Sequence, residues 1–160
     1  MPNALVDPVV DHDVRHLCFR PYPGHPNGCP NFDTTVRCPP QAPYIEDILD
    51  FERPIYAVWN IFDFARHVAR MKQRHPNWSE RQAACCLYWQ GTARAMLAEK
   101  LRAFRRDHPG TIVIQTPEAL GVNVTATMQS LGVTLEWPPK TITFQVALVG
   151  FPLGMKRWKN

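Results

Sequence analysis

Three cysteines, Cys18, Cys29 and Cys38, punctuate the stretch CFRPYPGHPNGCPNFDTTVRCPP, with ten and then eight residues between them. Thiolates are the ligands of soft transition metals and of iron–sulfur clusters, so three on one segment point first to metal binding. The same stretch carries prolines at 21, 23, 26, 30, 39 and 40 and has neither strand nor helix periodicity. A loop without a hydrogen-bonded ladder must repay backbone ordering of about 1–2 kcal/mol per residue. Prolines lower that cost by restricting the unfolded chain, and a metal held by Cys18, Cys29 and Cys38 would supply the rest.

The spacing bears on the metal. Zinc knuckles pair their cysteines two to four residues apart, and no such pair occurs within this stretch. Cys29-Pro30 and Cys38-Pro39 instead repeat the Cys-Pro ending of bacterial ferredoxin runs, which favours an iron–sulfur cluster of the 4Fe-4S type, with zinc as the alternative. Three cysteines leave such a cluster one ligand short. His25 lies inside the loop, His12 and His16 just before it, and Cys85 and Cys86 further along the chain. If none of these closes the site, one iron is open to a small sulfur- or oxygen-bearing molecule, for redox or sulfur-removal chemistry. The alternative is a non-enzymatic module in which a zinc-stapled loop offers Phe19, Tyr22, Phe32 and Tyr44 to a protein partner. Three unligated loop cysteines are the plainest reading of all.

The remainder of the chain must position that loop. The composition changes near Pro54, which divides a proline- and cysteine-rich part, residues 1–53, from an α/β core over 54–160 of one domain. Pro54 to Phe62 is β-branched and aromatic and reads as a buried strand, followed by a helix from Phe64 to Arg74 that stops before His75-Pro76. Ser79-Glu80-Arg81-Gln82 has capping-box form. Behind it Ala83, Cys86, Leu87, Ala93, Leu97, Leu101 and Phe104 recur at steps of three and four, with a gap at Gln90, and predict one long amphipathic helix ending at His108-Pro109-Gly110. On that helix Cys86 falls on the apolar stripe as a small hydrophobe, while Cys85 lies beside it and could face the loop. Strands are expected at 111–114, 134–137 and 141–149, and a turn and helix over 117–131 with Gly132 as its cap. Alternating strands and helices predict a mixed, partly parallel sheet.

Two stretches also look familiar. GCPNFDTTVRCPP and TPEALGVNVTATMQSLGV resemble the CPN-aromatic…CPP signature and the PEAMG-type turn of a family of uncharacterised, predicted metal-binding proteins. The resemblance covers about a quarter of the chain. It implies a cysteine-ligated metal, plausibly iron–sulfur, held by Cys29 and Cys38 with Cys18 as the upstream ligand. Members of that family carry a second cysteine cluster before the PEAMG-type turn. Residues 104–116 contain no cysteine here, so one site is the expectation.

Other chemistry finds little support. G-x-G-x-x-G, P-loop, G-x-S-x-G and H-E-x-x-H motifs are absent from the sequence. Asp11-His12-Asp13 with His16 could hold a divalent ion, though short acidic–histidine runs are usually solvated. Glu118 and Glu136 sit near expected strand ends, where α/β proteins place ligands, and either could be a general acid. Asn123 reads as a helix cap or a contact, and Trp89-Gln90-Gly91 could face the loop or a partner. The net charge of +4 is mild. Lys100, Arg102, Arg105, Arg106 and the tail KRWKN carry no nucleic-acid-binding motif and read as a solvated helix face and a frayed terminus. The acidic, proline-containing N-terminus is unlike a signal peptide and no apolar run reaches the roughly 20 residues of a membrane span, so a cytoplasmic address is expected. Partners expected on these grounds are a small-molecule substrate or a redox protein, with the oligomeric state open.

Overall fold

A computed structural model describes residues 2–22 and 25–154. A four-stranded sheet is built from β1 (Asn3–Leu5), β2 (Tyr56–Asp63), β3 (Ile112–Ile114) and β4 (Ile142–Gly150), in the order β1-β2-β4-β3. Every neighbouring pair is antiparallel, which corrects the expected partly parallel sheet. The reason is an insertion. β2 and β3 both run opposite to β4, so they point the same way and flank a helical crossover, as in a βαβ unit. The last strand, β4, enters between them and takes up the hydrogen bonds on both sides.

The helices are α1 (Phe64–Arg74), α2 (Glu80–Ala83), α3 (Gln90–Asp107) and α4 (Val124–Ser130). The carboxylate of Asp63 accepts from the Arg66 amide at 2.9 Å and starts α1 where the strand ends. The capping box forms as expected, with Ser79 and Gln82 satisfying each other's orphan backbone N–H groups. It opens only a single turn, because the long helix is broken. Cys85 is extended, Cys86–Tyr88 form a 3₁₀ turn and the chain restarts at Gln90. The break lets Trp89 turn inward against Phe62 and Phe64, at ring distances of 5.6 Å, while Leu87 faces solvent. The gap in the apolar stripe at Gln90 marked this fault line. Segment 134–137, expected to be a strand, forms no strand. The Glu136 carboxylate there accepts from the Thr141 amide at 2.9 Å and caps the turn leading into β4.

The sheet is covered on both faces. Ala93, Leu97, Leu101 and Phe104 of α3 are buried, the last three in a cluster with Val58, Ala147 and Val149. Each fully buried side chain of this kind contributes about 1.5–3 kcal/mol of transfer free energy. Asn60, fully buried among them, donates to the Ala93 carbonyl at 2.7 Å and accepts from the Gln145 amide at 3.0 Å. It thereby ties both central strands to α3. On the other face, Ala57, Trp59 and Leu148 pack against Leu120, Val122, Val124 and Met128 from the α4 side, and against Val6, Ala42, Ile45 and Leu49 from the N-terminal segment. The proline-rich segment therefore lies across the sheet, as its composition predicts. Among the described residues no helix is long and apolar enough to cross a membrane.

Candidate metal centre

The three loop cysteines are mounted on turns. Residues His12–Cys18 form a 3₁₀ helix, opened by the Asp11 carboxylate, which accepts from the Asp13 amide. In a 3₁₀ helix residues three apart eclipse, so His12, Arg15 and Cys18 form one stripe. Each member of that stripe joins a different part of the molecule. His12 bonds Glu46 at 2.9 Å and stacks on Tyr44 at 4.1 Å. Arg15 is buried and donates to the carbonyls of Pro40, at 3.1 Å, and Ala42, at 2.7 Å, with its guanidinium 4.4 Å above the Tyr44 ring. Cys18 receives the backbone of Cys29, whose amide donates to the Cys18 carbonyl at 2.7 Å.

That last contact requires a glycine. Gly28 has φ +82°, and a Cβ there would lie 2.7 Å from the Phe19 backbone. Only a residue without a side chain lets the chain return so closely on itself. From Cys29 the loop proceeds by further turns. The Phe32 amide donates to Cys29, the Asp33 amide to Pro39, the Cys38 amide to Thr35 and the Ala42 amide to Cys38. Cys18, Cys29 and Cys38 are all free and partly buried.

Burial pushes the Cys18 thiol above its usual pKa, and the neighbouring Cys29, Cys38 and Glu118 push it further, against a smaller opposing pull from Arg15. A thiolate at Cys18 would thus meet two more thiolates and a carboxylate, with one guanidinium to balance them. Tyr22 is raised in the same manner, first by burial and then by Cys29, Cys86 and Cys18. Its ring lies 4.6 Å from that of His25. Among the described residues no three His, Cys, Asp or Glu side chains stand in a ready-made ligating arrangement. Cys18 lies within electrostatic reach of Cys29 and Cys38.

The second stretch of the resemblance meets the first. Pro117–Leu120 form a 3₁₀ turn that packs on the 12–18 helix, and Gly121, with φ +88°, closes it. A Cβ on Gly121 would lie 2.9 Å from the His12 ring, so glycine is required at this approach as well. Glu118 stands on this turn near Cys18 and not at an isolated strand end. Its side chain reaches solvent, yet enough protein surrounds it that burial pushes its carboxyl up from the usual value. A shallow depression bounded by Val10, Asp11, His12 and Asp13 lies beside the turn, while a larger one on α1 and α2 holds no thiol.

The remaining candidates are engaged elsewhere. Glu136 lies on the exposed turn before β4, where backbone amides hold its carboxyl below the usual range. Asn123 caps α4 by accepting from the Ala126 amide at 3.0 Å. Trp89 is buried and donates its indole N–H to the Ala84 carbonyl at 3.2 Å, so it faces the core and not the loop. His16 lies 5.4 Å from the Phe19 ring. Cys86 packs beside the Phe62–Trp89 cluster from the break between α2 and α3 and not from a continuous helix. Arg102, Arg105 and Arg106 are exposed on α3, whereas the Lys100 amine approaches the Trp59 carbonyl. The tail KRWKN lies outside the described residues.

Sequence reasoning missed Arg15, and took Tyr22 only as an aromatic for a protein partner. The three-residue interval between Arg15 and Cys18 was the available signal, but it acquires meaning only once the segment is known to be 3₁₀. The chain matches no protein-family profile, no curated protein and no solved structure.

Proposed function

We propose that the protein is a cytoplasmic metalloprotein that binds one iron–sulfur cluster through Cys18, Cys29 and Cys38. The observation that supports it is three free, partly buried thiols on one turn-built segment, with Cys18 in electrostatic reach of Cys29 and Cys38. Thiols are the donors such a group takes. Thiolates held this near one another repel, and a cationic cluster core or a divalent ion relieves that repulsion while fixing a segment poor in apolar burial. Bound there, an iron–sulfur cluster would supply one-electron transfer or an iron that accepts a sulfur or oxygen donor. The chain itself contributes the proline-stiffened turns, the Gly28 close approach, and Arg15 as the tie between the two ends of the loop.

A second reading is favoured by what the loop exposes. Val36 is 75% exposed and Phe19 50%, apolar side chains that a zinc-stapled interaction module would bury against a protein partner. Anaerobic purification followed by iron, sulfide and zinc analysis separates the two. Iron and sulfide in stoichiometric amounts are expected, and their loss in each of Cys18→Ser, Cys29→Ser and Cys38→Ser. Stoichiometric zinc without sulfide would turn the assignment to the interaction module. A metal-free chain would sink both.

A further inference from the structure

Charge in this chain is segregated. Residues 64–107, which span α1, α2 and α3, hold ten of the 18 lysines and arginines but only three of the 14 acids. That stretch is therefore +7 and the remainder of the chain −3. Among the described residues, Lys72 alone of those ten meets a carboxylate, that of Glu80 at 3.1 Å. Arg66, Arg70 and Arg74 recur every four residues along α1 and are exposed, while Phe64, His67 and Met71 are buried. Residues four apart share a helix face and stand about 6 Å apart along its axis, so the three form one cationic row.

The row ends at an aromatic cluster. Trp78 stacks on His75 with ring centroids 4.0 Å apart and 12° between planes, and meets Tyr88 at 5.0 Å. His75 and Tyr88 are exposed and Trp78 is half-buried, so the core does not absorb these rings. Their backbone is fixed nonetheless. The His75 amide donates to the Met71 carbonyl and the Trp78 amide to the His75 carbonyl, both at 2.9 Å, and Lys72 Nζ donates to the Trp78 carbonyl at 3.0 Å.

We propose that this face binds single-stranded nucleic acid, with phosphates along Arg66, Arg70 and Arg74 and an unpaired base stacked on the His75–Trp78–Tyr88 cluster. The step between the arginines is close to that between successive phosphates of an extended strand. Fixed aromatic rings beside a line of cations are the means by which single strands are held without reading their sequence. A duplex keeps its base faces stacked on one another and has no use for the rings. An acidic membrane or protein would answer the charge and leave the rings unexplained. The proposal does not draw on the metal reading.

Titrating the full chain with a labelled oligothymidylate of about 15 nucleotides, followed by fluorescence anisotropy, tests it. Affinity is expected to fall with salt at a slope of about −2, the value for three phosphate contacts on a single strand. Each of Arg66→Gln, Arg70→Gln and Arg74→Gln should make that slope shallower by about 0.7. Trp78→Ala and His75→Ala should each weaken binding at least about fivefold, the low end for losing one stacked base. His75 is exposed, so its variant keeps the fold. Arg37→Gln, on the cysteine loop, should bind as the wild type does. No binding at about 50 mM salt overturns the proposal. So does binding that neither ring variant weakens, or that a duplex of the same length matches, since charge alone would then account for it. An equal loss in Arg37→Gln overturns the placement on α1. Binding to phosphatidylserine vesicles but not to the oligonucleotide overturns it in favour of a membrane surface.

Discussion

Between Tyr56 and Asp63 each residue of β2 has a registered partner on β4, and the faces of the two strands are closed by α3 on one side and by α4 with the N-terminal segment on the other. Between Leu17 and Pro43 the chain holds itself by turns, by Arg15 and by glycine-permitted contact, while Leu17, Phe19 and Val36 stay exposed. The two regions belong to one molecule and stand on different physics. The sheet is stabilised by apolar area removed from water, which is distributed over many side chains and tolerant of any one polar loss. The loop is stabilised by a few directional contacts, and each matters individually. Free thiols gather in the second kind of region because they need space that a close-packed core does not leave.

The comparison can be broken from either side. Leu148→Ala, at a position 1% exposed in the sheet, should cost about 2–5 kcal/mol in urea unfolding and destabilise both regions, because the N-terminal segment packs on the same cluster. If the loop keeps its amide protection while the sheet loses its own, the two regions are more independent than the packing implies. Arg15→Ala should act in the opposite sense. It removes two hydrogen bonds from a charged donor to the carbonyls of Pro40 and Ala42, about 1.5–3 kcal/mol each in general. Hydrogen exchange should speed up at the Cys29 and Ala42 amides and leave those of Val58 and Ala147 unchanged.

Gly28→Ala sharpens the contrast at one atom. The left-handed backbone and the 2.7 Å approach to Phe19 make the added methyl cost about 1–3 kcal/mol, confined to the loop and read as weakened metal uptake with an intact sheet. A pH series tests the helical side. His67 is buried beside Phe62, and neither ring nitrogen finds a hydrogen-bond partner among the described residues. Burial, helped by Arg70, holds its pKa below the ordinary 6.5, against a weak opposing pull from the Ala83 backbone. The unfolded chain therefore takes up this proton first as pH falls. The stability that neutral His67 contributes is complete above 6.5 and is lost on going below it. Urea midpoints measured between about pH 5 and 8 should fall toward acid in the wild type and flatten in His67→Leu. The smallest effect is expected at Gly91, in the first turn of α3 with open space around it. Gly91→Ala should stabilise the protein by up to about 0.5–1 kcal/mol, whereas the same change at Gly28 destabilises it.

The sequence by itself determined the elements whose signals are local. The strand ahead of Asp63, the helix Phe64–Arg74, the capping box at Ser79 and the final strand could be read because periodicity, caps and prolines act over a few residues. It also singled out Cys18, Cys29 and Cys38 by their clustering in a proline-rich stretch. Tertiary structure alone decided the rest. The alternation of strands and helices suggested a partly parallel sheet, and that was wrong: β4 enters between β2 and β3 and makes every neighbouring pair antiparallel, because strand order depends on which edge offers unpaired hydrogen bonds. The amphipathic stripe suggested one helix, and the demand of Trp89 for a place beside Phe62 and Phe64 broke it. Glu118 was visible as a residue near a strand end, yet the packing of its turn on the 12–18 helix depends on the glycine approach at Gly121, which meets His12 about a hundred residues earlier in the chain. Nothing in the local pattern encodes such a meeting. It exists because the core buries Pro117, Ala119 and Leu120 and so fixes the turn against the 12–18 helix.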